Sequence, residues 1–111
     1  MLIRKYMNSW ENMDKIISYL GFANKSNNLI VGQTPIKRTK KRLYLILVSD
    51  SASENLKNMA KNVALRHNCD VIISKFELQT LTNIKDVKIV GLTDENLSKA
   101  IIENKEKINI G

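Results

Sequence analysis

The sequence predicts an α/β fold. It reads as one domain of 111 residues, a three-layer α-β-α sandwich whose central, mostly parallel four-stranded sheet carries helices on both faces. Three observations predict it. Short apolar runs at 29–31, 43–48, 69–74 and 87–92 alternate with segments whose apolar residues recur at helical spacing. The run 43–48, LYLILV, is unbroken, as expected of a strand buried on both faces. No β-hairpin signal joins any two of the runs.

Taken in order, residues 1–8 show no clear period and read as a loose N-terminal extension. Ser9 is a suitable helix cap, and Trp10, Met13, Ile16, Ile17 and Leu20 follow at amphipathic spacing; Phe22 and Ala23 can continue the helix past Gly21. Residues 24–28, NKSNN, are turn chemistry before the first strand. A second helix is expected over 33–42, with Thr34 as cap and Pro35 in the first helical position, where its missing N–H does no harm. The strand 43–48 comes next. A third helix starts at Ser51 or Ser53, buries Leu56, Met59, Ala60, Val63 and Ala64, and closes at 66–68. Strand 69–74, a short helix over 76–81, strand 87–92 and a last helix over 95–105 capped by Asp94 complete the chain. The final residues, 108–111, have no place in this pattern.

Composition narrows the function. An apolar share of 43% with 26% charged residues is that of an ordinary globular domain. The single cysteine, Cys69, forbids an internal disulfide, and with the single histidine, His67, it falls short of the roughly four ligands a structural zinc needs. No apolar run approaches the roughly 20 residues of a membrane span. Residues 1–5 are too short for a signal peptide. A cytoplasmic location without a membrane partner is the expectation.

The formal net charge of +7 is one-sided. Residues 1–49 hold nine Lys/Arg against Glu11 and Asp14, whereas 50–111 hold nine of each sign. Lys37, Arg38, Lys40, Lys41 and Arg42 pack five cations into six positions, directly before the buried strand. Only Ile36 anchors that segment, so it has little to bury and much charge to show. Such an excess is the electrostatic footprint of a polyanion partner.

Catalytic chemistry is not encoded in any recognisable way. Neither G-x-x-x-x-G-K-[ST] nor G-x-G-x-x-G occurs. His67 reads as a surface or capping residue, Cys69 as a small core residue, and Asp50 and Asp94 as caps. No enzyme activity, small-molecule substrate, cofactor, catalytic residue or metal ligand is predicted.

The order of parts from Leu20 to Asp50, LGFANKSNNLIVG, a basic helix, then LYLILVSD, resembles the kink-turn RNA-binding ribosomal-protein superfamily, most of all its bacterial YlxQ-type branch. Ala52-Ser53-Glu54-Asn55-Leu56-Lys57 is similar to that branch's A-S-x-N-x-x-K helix start. Phe76-Glu77-Leu78 resembles its E-L helix, and residues 87–94 its V-V-x-V-T-D strand. The resemblance spans about residues 14–104. It implies a non-catalytic, ribosomal-protein-like function, contacting structured, kink-turn-like RNA through the basic helix. By position it implies RNA contacts from Gly32, Gln33, Thr34, Lys37, Arg38, Lys41 and Arg42, and from Leu78, Thr80 and Leu81 around the short helix. Thr34-Pro35 stands where tight kink-turn binders carry Asn-Glu, and residues 79–83, QTLTN, replace a glycine-containing loop. Proline offers neither side-chain acceptor nor N–H, so phosphate binding with reduced readout of guanine edges is expected. The alternative implied is a ribosome- or transcription/translation-associated protein-interaction module that keeps the fold without kink-turn specificity.

Overall fold

The computed structural model describes residues 2–108, with side chains described for 13–106 and 108. Helix α1 (Leu2–Lys25) leads into β1 (Leu29–Val31), α2 (Gln33–Arg38), β2 (Leu45–Ser49), α3 (Glu54–His67), β3 (Asp70–Ser74), α4 (Leu78–Thr82), β4 (Ile89–Leu92) and α5 (Glu95–Glu103), with a closing 3₁₀ turn at Lys105–Lys107. No helix among the described residues is long and apolar enough to cross a membrane.

The sheet is mixed, not mostly parallel. Its order is β1-β4-β2-β3. Strands β1, β2 and β3 point the same way, but β4 lies antiparallel between β1 and β2, so only β2–β3 is a parallel pair. All five residues of β2 are buried. Their alternation sends them to two cores. Leu45 and Leu47, with Val90 and Leu92 of β4, pack with residues of α1, α4 and α5 such as Ile16, Leu20, Leu78, Leu81 and Ile101. Ile46 and Val48, with Ile89, pack with Ile36 of α2 and with Met59, Ala60, Val63 and Ala64 of α3.

Several boundaries differ from expectation, each for a local reason. Helix α1 begins at Leu2, so Ser9 lies within the helix and does not cap it; no Gly or Pro interrupts residues 2–20. The side chain of Trp10 lies outside the described residues. Helix α2 begins at Gln33 behind Gly32, placing Pro35 third, still among the first N–H groups that have no helical partner. It stops at Arg38, four residues early. There Thr39 turns extended, its N–H bonds Pro35 C=O at 2.9 Å, and its Oγ1 accepts the Lys41 N–H at 3.1 Å, an alternative to another helical turn. Four cations at 38–42 on one helix would also repel one another.

Leu43 drops out of β2 because its N–H donates to His67 Nδ1 at 3.1 Å. Cys69 precedes β3 because its N–H closes α3 on Ala64 C=O. Helix α4 starts late because the Ser74 hydroxyl donates to Phe76 C=O and accepts the Phe76 N–H, holding a turn there. The expected caps of α3 and α5 form: Ser53 Oγ accepts Leu56 N–H at 3.1 Å, and Asp94 accepts Leu97 N–H at 2.7 Å. Asp50 does not cap; it pairs with Lys57 at 3.2 Å. Ile108, unplaced by pattern, is fully buried, and its C=O accepts the Lys75 N–H.

Candidate nucleic-acid interface

The residues singled out from the sequence divide into three sets. Gly32, Gln33 and Thr34 lie where β1 ends. The pairing Val31↔Val90 and the Gly32 N–H bond to Ile89 C=O place them beside the start of β4. Gly32 has φ 97° and ψ 160°, a conformation reserved almost wholly for glycine. Gln33 and Thr34 are exposed.

Thr80 is exposed on α4, at the same end of the sheet but on the α1 side. Leu78 and Leu81 are not surface residues. They are 0% and 1% exposed and belong to the α1-side core, where i, i+3 spacing turns both to one face. The Leu78 N–H is held by the buried Ser49 hydroxyl at 3.0 Å. As the protein is folded, neither leucine can touch RNA. This end of the sheet also carries acids. Lys88 is engaged by Ser51 at 2.7 Å and by Glu77 at 3.0 Å. Hydrogen bonding from Ser51, then from Lys88, holds the Glu77 carboxyl below the usual carboxylate range.

The third set starts with Lys37 and Arg38 on α2 and continues through Lys40, Lys41 and Arg42 on the strap that returns to β2. This strap reaches the opposite end of the sheet, where the Tyr44 N–H bonds Leu92 C=O and Leu43 meets His67. All five cations are exposed. The ion pairs among the described residues are Lys57 with Asp50 and Glu54, Lys88 with Glu77, and Lys99 with Glu95. All lie in the neutral second half of the chain, so no cation of 37–42 is compensated there.

The strap is pinned from several sides. Ile36 is fully buried beneath it. The Arg42 guanidinium lies 5.0 Å from the Tyr44 ring centroid, a cation–π contact. Arg66, at the end of α3, donates to the Lys37 C=O at 3.1 Å and adds a sixth cation from another element. His67 reports the resulting field: burial first, then Arg66 and Arg42, lowers its pKa from the ordinary 6.5. Arg66 could not be assigned to the site from sequence, since a basic residue in a last turn is ordinary helix-end chemistry.

Two open grooves flank α2. One, of about 700 Å³, runs along edge strand β1 and is lined by Leu29, Ile30 and Pro35 with Arg38, Lys40 and Lys41 among its rim. The other, of about 560 Å³, lies between α2 and α3. Burial, then Asp70, pushes the Cys69 thiol up to about 11, so it is not a thiolate at neutral pH. No group of three potential metal ligands occurs among the described residues.

No protein-family model matches the chain, and no curated protein does. Among solved structures, a protein with unknown function from Bacillus halodurans C is similar, with a TM-score of 0.69 and 15% identity over 82% of this chain and 96% of that one. At that identity the likeness is one of fold: a small mixed α/β domain.

Proposed function

We propose that this is a non-catalytic RNA-binding protein whose phosphate-contacting surface is the strap at residues 37–42 together with Arg66. The observation that carries the reading is the uncompensated charge. Five exposed cations in six positions are free of ion pairs among the described residues, and a buried strand backs the segment on one side and Arg66 on the other. A flexible basic tail would lose much entropy on ordering against RNA; a strap already anchored by Ile36 and His67 loses less. Kinship with the kink-turn RNA-binding superfamily and its three-layer sandwich is part of the proposal, supported by the sequence order of parts and by helices packing on both sheet faces.

The site differs from the one that kinship implies. With Thr34-Pro35 at the start of α2, Leu78 and Leu81 buried, and acids near Thr80, the end that would read a kink-turn offers few contacts. Binding therefore rests on phosphates, with a weak preference for a kink-turn over a duplex of equal length. The test is fluorescence anisotropy with both RNAs at one salt concentration. Lys41→Ala with Arg42→Ala is expected to weaken both about equally, and wild type to separate them by less than about 3 kcal/mol. Wild-type protein without affinity for either RNA would refute the reading and leave protein interaction as the role of the fold.

A further inference from the structure

The groove between α2 and α3 is unlike the rest of the basic surface. Its floor is Met59 and Val63, both buried in the core on this side of the sheet. Its α3 wall presents Asn55, Asn58 and Asn62, all exposed. The spacings of three and four residues put all three amides on one helix face. They span about 10 Å along the axis, at roughly 1.5 Å per residue. Lys37 and Arg66 stand at the groove as its two cations, and the Arg66 to Lys37 C=O hydrogen bond ties the two walls together.

We infer that this groove receives an unpaired nucleotide of the bound RNA, its phosphate at Lys37 and Arg66 and its base edge on the α3 asparagines. This rests on the RNA-binding reading and adds a base-contacting site to it. Each asparagine amide offers a donor and an acceptor side by side, the complement of a base edge such as adenine N6/N7. Met59 and Val63, 9% and 4% exposed, close the floor beneath the asparagines and leave the base an apolar, polarizable edge contact there. The volume of about 560 Å³ lies within the ordinary range for small-ligand clefts. Lys37 belongs to both the groove and the strap, so a chain held by its phosphates along 37–42 has a continuous route into the groove. Paired bases cannot use the site, because in an A-form duplex they stay stacked and present their N6/N7 edges in a deep, narrow major groove that the α3 asparagines cannot enter, whereas unpaired bases can be splayed into it.

The variant Asn58→Ala with Asn62→Ala tests this without threatening the fold, since both positions are exposed and alanine is the better helix former. The full chain is titrated by anisotropy with a blunt RNA duplex and with the same duplex carrying a six-nucleotide oligoadenylate overhang. In parallel, the side-chain amide NMR signals of Asn55, Asn58 and Asn62 are followed with free hexaadenylate and with an acidic hexaglutamate peptide. Wild type should prefer the overhang RNA by about tenfold, and the variant should lose most of that preference while binding the blunt duplex within about twofold of wild type. Hexaadenylate should shift the three amide signals. Wild type that binds both RNAs alike with unshifted amides overturns the groove assignment alone. Wild type that binds neither RNA overturns the functional reading beneath it. Amides shifted by hexaglutamate and not by hexaadenylate would assign the groove to an acidic peptide and likewise overturn the inference.

Discussion

Replacing Ile36 by alanine tests whether the basic segment is held by its one apolar residue. Ile36 is fully buried against the α3-side core, with Leu43, Ile46, Val48 and Ile89 in the same cluster. It also fills space over Gly91: a Cβ added there would lie 2.9 Å from Leu43 Cδ2 and 3.7 Å from Ile36 Cγ1. Ile36→Ala removes three carbons, worth about 2.4 kcal/mol of transfer free energy at roughly 0.8 kcal/mol each. The sheet beneath has its backbone committed to β2 and β4 and cannot collapse into the void, so a cavity term raises the expected loss to about 3–4 kcal/mol. A chain of this size has a total stability of about 5–15 kcal/mol, so the variant still folds but marginally. Urea denaturation followed by far-ultraviolet circular dichroism should show the midpoint falling by about 2–2.7 M for a slope near 1.5 kcal/mol/M, with the slope unchanged. A loss below about 1 kcal/mol would mean that Ile36 does not anchor the strap, and the preorganisation argument for RNA binding would fall with it.

Two glycines should respond in opposite directions to the same change. Gly21→Ala, in a helix with open space around the new Cβ, should stabilise by about 0.5–1 kcal/mol, whereas Gly32→Ala, at φ 97°, should cost about 1–3 kcal/mol in the same urea assay. His67 should make stability depend on pH. Its Nδ1 accepts the Leu43 N–H only while unprotonated, and its folded pKa is lowered, so the unfolded chain binds the proton more readily. The contribution is complete above about pH 6.5 and is lost as pH falls from there through the lowered folded value. His67→Gln should flatten the difference between urea midpoints measured at about pH 7.5 and pH 5.5; an unchanged difference would remove His67 from the account.

How much of this was legible in the chain depended on whether the deciding contacts were local. The buried character of β2, the caps at Ser53 and Asp94, and the passage of α1 through Gly21 are written in neighbouring residues, and each is visible by pattern. Strand order is not local. Nothing in residues 89–92 announces that this strand inserts antiparallel between β1 and β2, because alternation and apolarity look the same in either direction. The burial of Leu78 and Leu81 escaped because a five-residue helix is too short to display a period, and its partner, α1, is more than fifty residues away. The early end of α2 depended on one threonine hydroxyl at position 39. In the candidate interface the cations at 37–42 were plain, whereas Arg66 joins them only through a hydrogen bond across 29 residues. The asparagines at 55, 58 and 62 were not singled out from the sequence, because only the groove against α2 shows what their helix face borders.

The central claim, that uncompensated charge at residues 37–42 holds RNA by its phosphates, is tested most directly by the salt dependence of affinity. The measurement is the dissociation constant for one structured RNA across a series of monovalent salt concentrations, for wild type and for Lys41→Ala with Arg42→Ala. If three to five phosphates are neutralised, the log–log slope for wild type should be roughly −2 to −4, and removing two cations should make it shallower by about 1.4–1.8. A slope near zero, or a variant whose slope equals that of wild type, would contradict the account.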